Sequence, residues 1–341
     1  MKIRIYISIL ACTAVLMCAG CAEKSKDTHL AVDAQGKTVV ERYGQLQVIG
    51  TALCDASGNP VQLRGMSSHG LQWYGRYANY DVLKWLRDDW NVQIWRSAMY
   101  LVEGGYIANP VVKTKVTDSV DAAIKLGMYV MVDWHVASDK NPQVYQAQSI
   151  AFFAEMAQKY GSVPNIMYEI CNEPNSSEVT WAGQIKPYAE VLIAEIRKWD
   201  SDNLIIVGTP NWSQDVDIAA SDPIAGQKNI MYTMHFYAKS HGKELQKKTE
   251  TALDKGLPLF VTEWGTTKNT GDQFYPKESL EWLAFMNKHN LSWINWSVNN
   301  KGEDSGILQF NADREGKGNW KTADLSKSGI FIRKILRNET R

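Results

Sequence analysis

The feature that most constrains the fold is an alternation that persists along most of the chain. From residue 61 onward, apolar runs of strand length are separated by stretches with helical spacing. The strand-like runs are 61–68, 91–100, 128–134, 165–173, 204–207, 230–236, 259–262 and 291–297. The helical stretches are 79–89, 111–126, 146–160, 184–199, one within 214–220, 243–254, 277–289 and 322–336. Strand and helix thus alternate through eight pairs in about 290 residues, which predicts an α/β fold with a single closed (β/α)8 barrel. An open doubly wound sheet is the alternative. Residues 46–54, a turn at 55–60 and the run 61–68 read as a short extended segment at the base. No internal repeat, second domain or Ser/Pro-rich linker is visible.

Before the alternation begins, Lys2 and Arg4 precede a short apolar segment from Ile5 to Met17, followed by small residues. That is a secretory signal over 1–20, too short to cross a bilayer. Cys18-Ala19-Gly20-Cys21 resembles a bacterial lipobox, so Cys21 is the expected lipidation site and the expected membrane contact is this anchor. A plain cleaved signal is the alternative. Residues 22–40 are polar and lack hydrophobic periodicity, which predicts a flexible tether to a catalytic domain over 41–341. Cys54 and Cys171 then remain in the folded part, at opposite ends of the barrel and as free thiols.

The 37 basic and 37 acidic side chains cancel, which argues against a nucleic-acid surface. The excess is aromatic, with 13 Trp and 15 Tyr. Flat rings can stack on the apolar faces of sugars, although most rings in a chain of this size pack in its core.

Barrels of this type place their active sites where the strands end. Those ends carry His69, Arg96 with Tyr100, His135, Asn172 with Glu173, His235 with Tyr237, Glu263 and Trp296. Pro174 stops the fourth strand, leaving Glu173 at the rim, and Glu263 closes the seventh run in the same way. Two carboxylates on two strand ends are what acid-catalysed cleavage of a glycosidic bond requires. Three of the six histidines also fall at strand ends. Neutral imidazoles could form a catalytic zinc site, but no compact HExxH or CxxC spacing supports one, and no metal or cofactor is expected. Arg96 could instead be a structural partner of Asp133 or Glu169, two carboxylates within strands that read as interior scaffolding. Trp73, Trp212 and Trp296 could be core rather than sugar platforms.

Ser67-Ser68-His69-Gly70-Leu71-Gln72-Trp73-Tyr74-Gly75, Asp133-Trp134-His135, Asn172-Glu173-Pro174, His235-Phe236-Tyr237 and Thr262-Glu263-Trp264-Gly265 carry a resemblance. With Trp212-Ser213-Gln214-Asp215 and Asn295-Trp296-Ser297, they resemble, in order, the bacterial endoglucanase branch of glycoside hydrolase family 5. The likeness runs from about Tyr43 to Arg337. It implies a retaining (β/α)8 hydrolase of β-1,4-glucans, with Glu173 as acid/base and Glu263 as nucleophile. It further implies that Arg96, His135, Asn172, His235, Tyr237 and Trp296 complete the active-site shell. His69, Trp73, Tyr100, Trp212, Lys301 and Glu303 would line glucose subsites. Cys171 departs from the Ala common in the family, and residues 298–303 keep a charged pair in altered surroundings.

The expected partner is therefore a β-glucan, bound by a monomer with no nucleic-acid partner. Mixed-linkage glucan, xyloglucan or mannan would use the same two glutamates. A non-catalytic glycan-binding lipoprotein is the remote alternative, which intact Glu173 and Glu263 oppose.

Overall fold

A computed structural model describes residues 29–339. The signal and the lipidated Cys21 expected from the sequence lie outside the described residues. Eight parallel strands close into a barrel: β3 (Arg64–Ser68), β4 (Ile94–Tyr100), β5 (Tyr129–His135), β6 (Ile166–Glu169), β7 (Leu204–Val207), β8 (Ile230–Tyr237), β9 (Leu259–Gly265) and β10 (Trp293–Val298). The last strand pairs with the first, so the barrel itself has no open edge. This excludes the open doubly wound sheet.

Among the described residues, seven helices of ten or more residues cover the outside: α2 (Tyr80–Trp90), α3 (Lys113–Leu126), α4 (Gln146–Tyr160), α5 (Lys186–Ile196), α6 (Lys243–Asp254), α7 (Pro276–Lys288) and α8 (Lys327–Leu336). Each forms where apolar residues recur at helical spacing between recognisable ends. In α2 the Asn79 side chain accepts from the Val82 N–H, while Val82, Leu83, Leu86 and Trp90 are buried. It ends at Asn91, in the left-handed conformation with φ 61°. The helix expected within 214–220 shrinks to one turn, Val216–Ala219, preceded by a left-handed turn at Pro210–Ser213.

The base differs from expectation in two ways. The tether expected over 22–40 is folded from residue 29 onward, because its apolar side chains find a surface to cover. Ala31 is buried, Val32 bridges Thr38, and α1 (Val39–Tyr43) begins with a Thr38–Glu41 capping box. A Cβ on Gly127 would meet the Thr38 side chain at 2.3 Å, so glycine there lets the segment dock on the end of α3. The extended segment is also a hairpin, β1 (Gln47–Ile49) with β2 (Ala52–Cys54), whose turn falls at 50–51 rather than only at 55–60. The second turn is present too, with Asp55 Oδ1 accepting from the N–H groups of Ser57 and Asn59.

Val39, Tyr43, Leu46, Leu53 and Leu63 form one apolar cluster with the lower barrel interior. Ile94, Met131, Met167, Leu204, Ile206, Met231, Phe260 and Ile294 supply the interior side. Full burial of each such side chain contributes about 2 kcal/mol. Cys54 and Cys171 are both buried and free, the first in the basal hairpin and the second just beyond β6.

Candidate active site

Two residues above that apolar floor, the interior becomes polar. Side chains alternate along each strand, so Ile94 is followed inward by Arg96, Met131 by Asp133, and Met167 by Glu169. Arg96 is fully buried and every nitrogen of its guanidinium is used. Its Nε donates to Glu169 Oε2 at 2.6 Å and its Nη1 to Glu263 Oε2 at 3.0 Å. Its Nη2 donates to Asn172 Oδ1 at 2.6 Å and lies 3.0 Å from Asp133 Oδ2. Burial disfavours this cation, but Asp133, Glu169 and Glu263 outweigh burial and hold the proton on Arg96. Reciprocally, burial opposes the Glu169 charge, yet Arg96 and His235 pull its pKa down to about 2.

Glu263 is turned inward by an irregularity in β9. Thr233 pairs with Phe260 but His235 pairs with Glu263, so β9 spends one more residue than β8. The expected strand stopped at 262, whereas β9 continues through Glu263 to Gly265. Tyr237 Oη donates to Glu263 Oε1 at 2.8 Å, so both carboxylate oxygens of Glu263 are held. One edge of the Tyr237 ring packs against Gly265, where a Cβ would stand 2.4 Å from Tyr237 Cδ1. Glycine at 265 is thus what lets that hydroxyl reach Glu263.

Glu173 lies four residues beyond the last β6 residue, not at the strand end as expected, because the ladder stops at Glu169. Its backbone remains tied to β5: the Asn172 N–H donates to Trp134 O and the Glu173 N–H to Val136 O. His235 Nδ1 lies 2.9 Å from Glu173 Oε1, and His235 Nε2 lies 2.7 Å from Thr262 Oγ1 and 3.8 Å from Glu169 Oε1. Burial works against a charge on His235, but contact with Glu169 and Glu173 raises its pKa to about 9. Carboxylate oxygens of Glu173 and Glu263 and a nitrogen of His235 all lie within 4.8 Å of one another. Three such groups could in principle hold a metal ion. His235 Nδ1 is already in contact with Glu173, so a cation would have to displace that contact.

His135 is sandwiched between Tyr100, at 4.1 Å between ring centroids, and Trp296, at 5.5 Å. Its Nδ1 lies 2.6 Å from Asp133 Oδ2. Burial followed by Arg96 lowers the His135 pKa to about 3, while burial raises that of Asp133 well above the usual carboxylate range. Trp296 is buried, its ring 5.0 Å from that of His69. Burial, then Lys301, lowers the His69 pKa to about 3, so this imidazole is neutral. Lys301 Nζ and Glu303 Oε2 are 2.7 Å apart, and Glu303 lies 3.8 Å from His69.

The cleft runs outward in two directions. On one side Glu173, Trp212, His235 and Tyr237 line a cavity of about 390 Å³. Asn211, Trp212 and Ser213 all have φ between 56° and 58°, a strained run that persists because its neighbours hold it. The Trp212 N–H donates to Pro174 O and Ser213 Oγ to Asn172 O, which fixes this turn to Glu173 and leaves the Trp212 ring about half exposed. On the other side, His69 and Trp73 open a cavity of about 860 Å³. The ring of Trp73 is 43% exposed, so it is not a core residue.

All fourteen candidate side chains in the folded part thus sit around the carboxyl mouth of the barrel. The sequence reading undervalued Asp133 and Glu169, which brace Arg96 directly beneath Glu263. It missed Ser67, Thr233 and Thr262, whose hydroxyls touch Arg96, Glu169 and His235. Strand parity with Arg96 and His235 was the available signal for Asp133, Glu169 and Thr233. The irregularity in β9 hid Thr262.

A barrel mouth with two facing carboxyl groups less than 5 Å apart, one gripped by Arg and Tyr, is the arrangement of retaining glycoside hydrolases. The family model Cellulase (glycosyl hydrolase family 5) matches residues 54–302, and the chain belongs to that family. An endoglucanase of Clostridium saccharobutylicum is 51% identical over 86% of this chain and 65% of its own length. Endoglucanase A of Evansella cellulosilytica is 48% identical over 90% of this chain and 62% of its own. The chain therefore spans slightly less than two thirds of these relatives. A structure from Cytophaga hutchinsonii superposes with TM-score 0.86 at 45% identity, covering 89% of this chain and 97% of that one. The catalytic domain of Thermobifida fusca endoglucanase Cel5A, in complex with cellotetraose, gives 0.82 at 38% identity over 87% and 99%.

Proposed function

We propose that this chain is an endo-acting glycoside hydrolase that cleaves β-1,4-glucosidic bonds with retention of configuration. The observation that carries the reading is the facing pair, with both Glu263 oxygens held and Glu173 at the open side of the cleft. In this reading ionised Glu263 attacks the anomeric carbon while Glu173 protonates the departing oxygen. The leaving sugar exits beside Glu173 and Trp212, and the glycone lies toward His69 and Trp73. When the covalent bond forms, the charge on Glu263 disappears. The His235 imidazolium then stands beside a Glu173 that has just given up its proton, and steadies it as the base that activates water. Asn172 donates to Val136 O, and its amide lies 3.3 Å from His135 Nε2. The second, long contact is the one a sugar 2-hydroxyl would replace.

Cellulose or a related β-glucan is the proposed substrate, supported by the names of the endoglucanase relatives and by the cellotetraose complex of the Thermobifida fusca enzyme. Reducing-sugar release from carboxymethylcellulose, barley glucan, xyloglucan and mannan tests it. Activity on mannan alone would contradict the glucan assignment, and mutarotation showing inversion would contradict the mechanism. We further propose export and membrane anchoring through a lipid on Cys21, resting on residues 1–21 alone. An unmodified N-terminus in the mass of membrane-extracted protein would end that idea.

A further inference from the structure

The cavity beyond Trp73 holds more than an uncharged sugar chain needs. Arg76, Lys301 and Arg314 line it, and no carboxylate does. Lys301 is paired with Glu303, but among the described residues neither guanidinium has a carboxylate partner. Arg76 donates to Trp73 O and to Asn300 Oδ1 and lies over the rings of Tyr74 and Tyr77. Arg314 donates to Asn311 Oδ1. The nearby acids are engaged elsewhere: Asp313 accepts from Trp320 Nε1 and two backbone N–H groups, and Glu315 pairs with Lys317.

Two further observations point to a sugar. Both amide atoms of Gln72 are buried in the cavity wall without any hydrogen-bond partner, an arrangement that costs stability until a donor and acceptor arrive. Phe310, 61% exposed, presents its ring in the same cavity as Trp73. The wall is built in advance, since buried Asn300 donates to Phe310 O and Ala312 O while accepting from Arg76.

We propose that this cavity is a distal glycone subsite that selects a sugar carrying a carboxylate, such as a uronic acid within or capping a β-glucan. The assignment rests on the hydrolase reading above for its orientation. The carboxylate pairs with Arg314, backed by Arg76, while Gln72 bonds the ring hydroxyls and Phe310 covers an apolar face.

The test compares cellopentaose with the same pentasaccharide whose non-reducing terminal C6 is oxidised to a carboxylate, at neutral pH and low salt. The oxidised chain is expected to show a kcat/KM about five-fold higher, the size of an exposed ion pair. In Arg314→Ala that ratio falls to about one, and salt near 0.5 M erodes it in the parent by screening. Phe310→Ala lowers kcat/KM for both sugars. No preference in the parent, or a preference that survives both Arg314→Ala and salt, overturns the subsite. Failure to cleave either sugar would instead overturn the proposed hydrolase activity, and the ratio of calorimetric Kd values for the same two sugars would still decide the subsite.

Discussion

The two ends of the barrel interior are built from the same strands by opposite chemistry. At the base, Ile94, Met131, Met167 and Met231 close the cylinder with apolar side chains. One inward position higher on those four strands stand Arg96, Asp133, Glu169 and Thr233, all buried. The base gains stability from non-directional burial, so any shape that fills it serves. The mouth must satisfy each charge with a specific partner, because an unpaired buried charge is costly. Stability and function are therefore separated by a single layer of side chains.

The most damaging way to break this contrast is Arg96→Met. It would leave Glu169 and Glu263 without their cation, so kcat should fall about a thousandfold and stability by about 3–5 kcal/mol. Urea unfolding alongside initial rates checks both. Met167→Ala, just below, should cost about 2–5 kcal/mol in the same unfolding assay while kcat stays within a few-fold of the parent. A comparable loss of kcat from both substitutions would erase the distinction between floor and mouth.

A third effect is smaller and depends on pH. His235 has a folded pKa raised to about 9, so its stabilisation is full below pH 6.5 and is lost as pH rises toward 9. His69 and His135 have folded pKa values lowered to about 3, so stability falls as pH drops below 6.5, where the unfolded chain takes up protons first. Melting temperature should therefore peak near pH 6–7. His235→Gln should flatten the alkaline arm and leave the acid arm in place. An alkaline arm unchanged by that substitution would show that the charge between Glu169 and Glu173 does not hold the mouth together.

The barrel was legible because its signal is periodic and repeated, and because Pro174 and Gly265 punctuate the runs that carry Glu173 and Glu263. What escaped has physical causes. The register shift in β9 is a property of pairing with β8, and no local pattern announces it. The ordering of residues 29–40 depends on a surface supplied by α3, which a polar, aperiodic stretch cannot reveal by itself. The left-handed run at 211–213, just before the shortened helix, is held by hydrogen bonds to Pro174 and Asn172, residues distant in sequence. Asp133 and Glu169 read as scaffolding because burial and function coincide in them.

The central claim is that Glu263, gripped by Arg96 and Tyr237, is the group that bonds to the sugar. Incubation with a 2-fluoro cellobiosyl fluoride, followed by intact-mass and peptide mass spectrometry, tests it most directly. The account predicts one glycosyl adduct, on the peptide containing Glu263, that decays as activity returns. An adduct on Glu173 instead, or substrate turnover with inversion and no adduct at all, would contradict it.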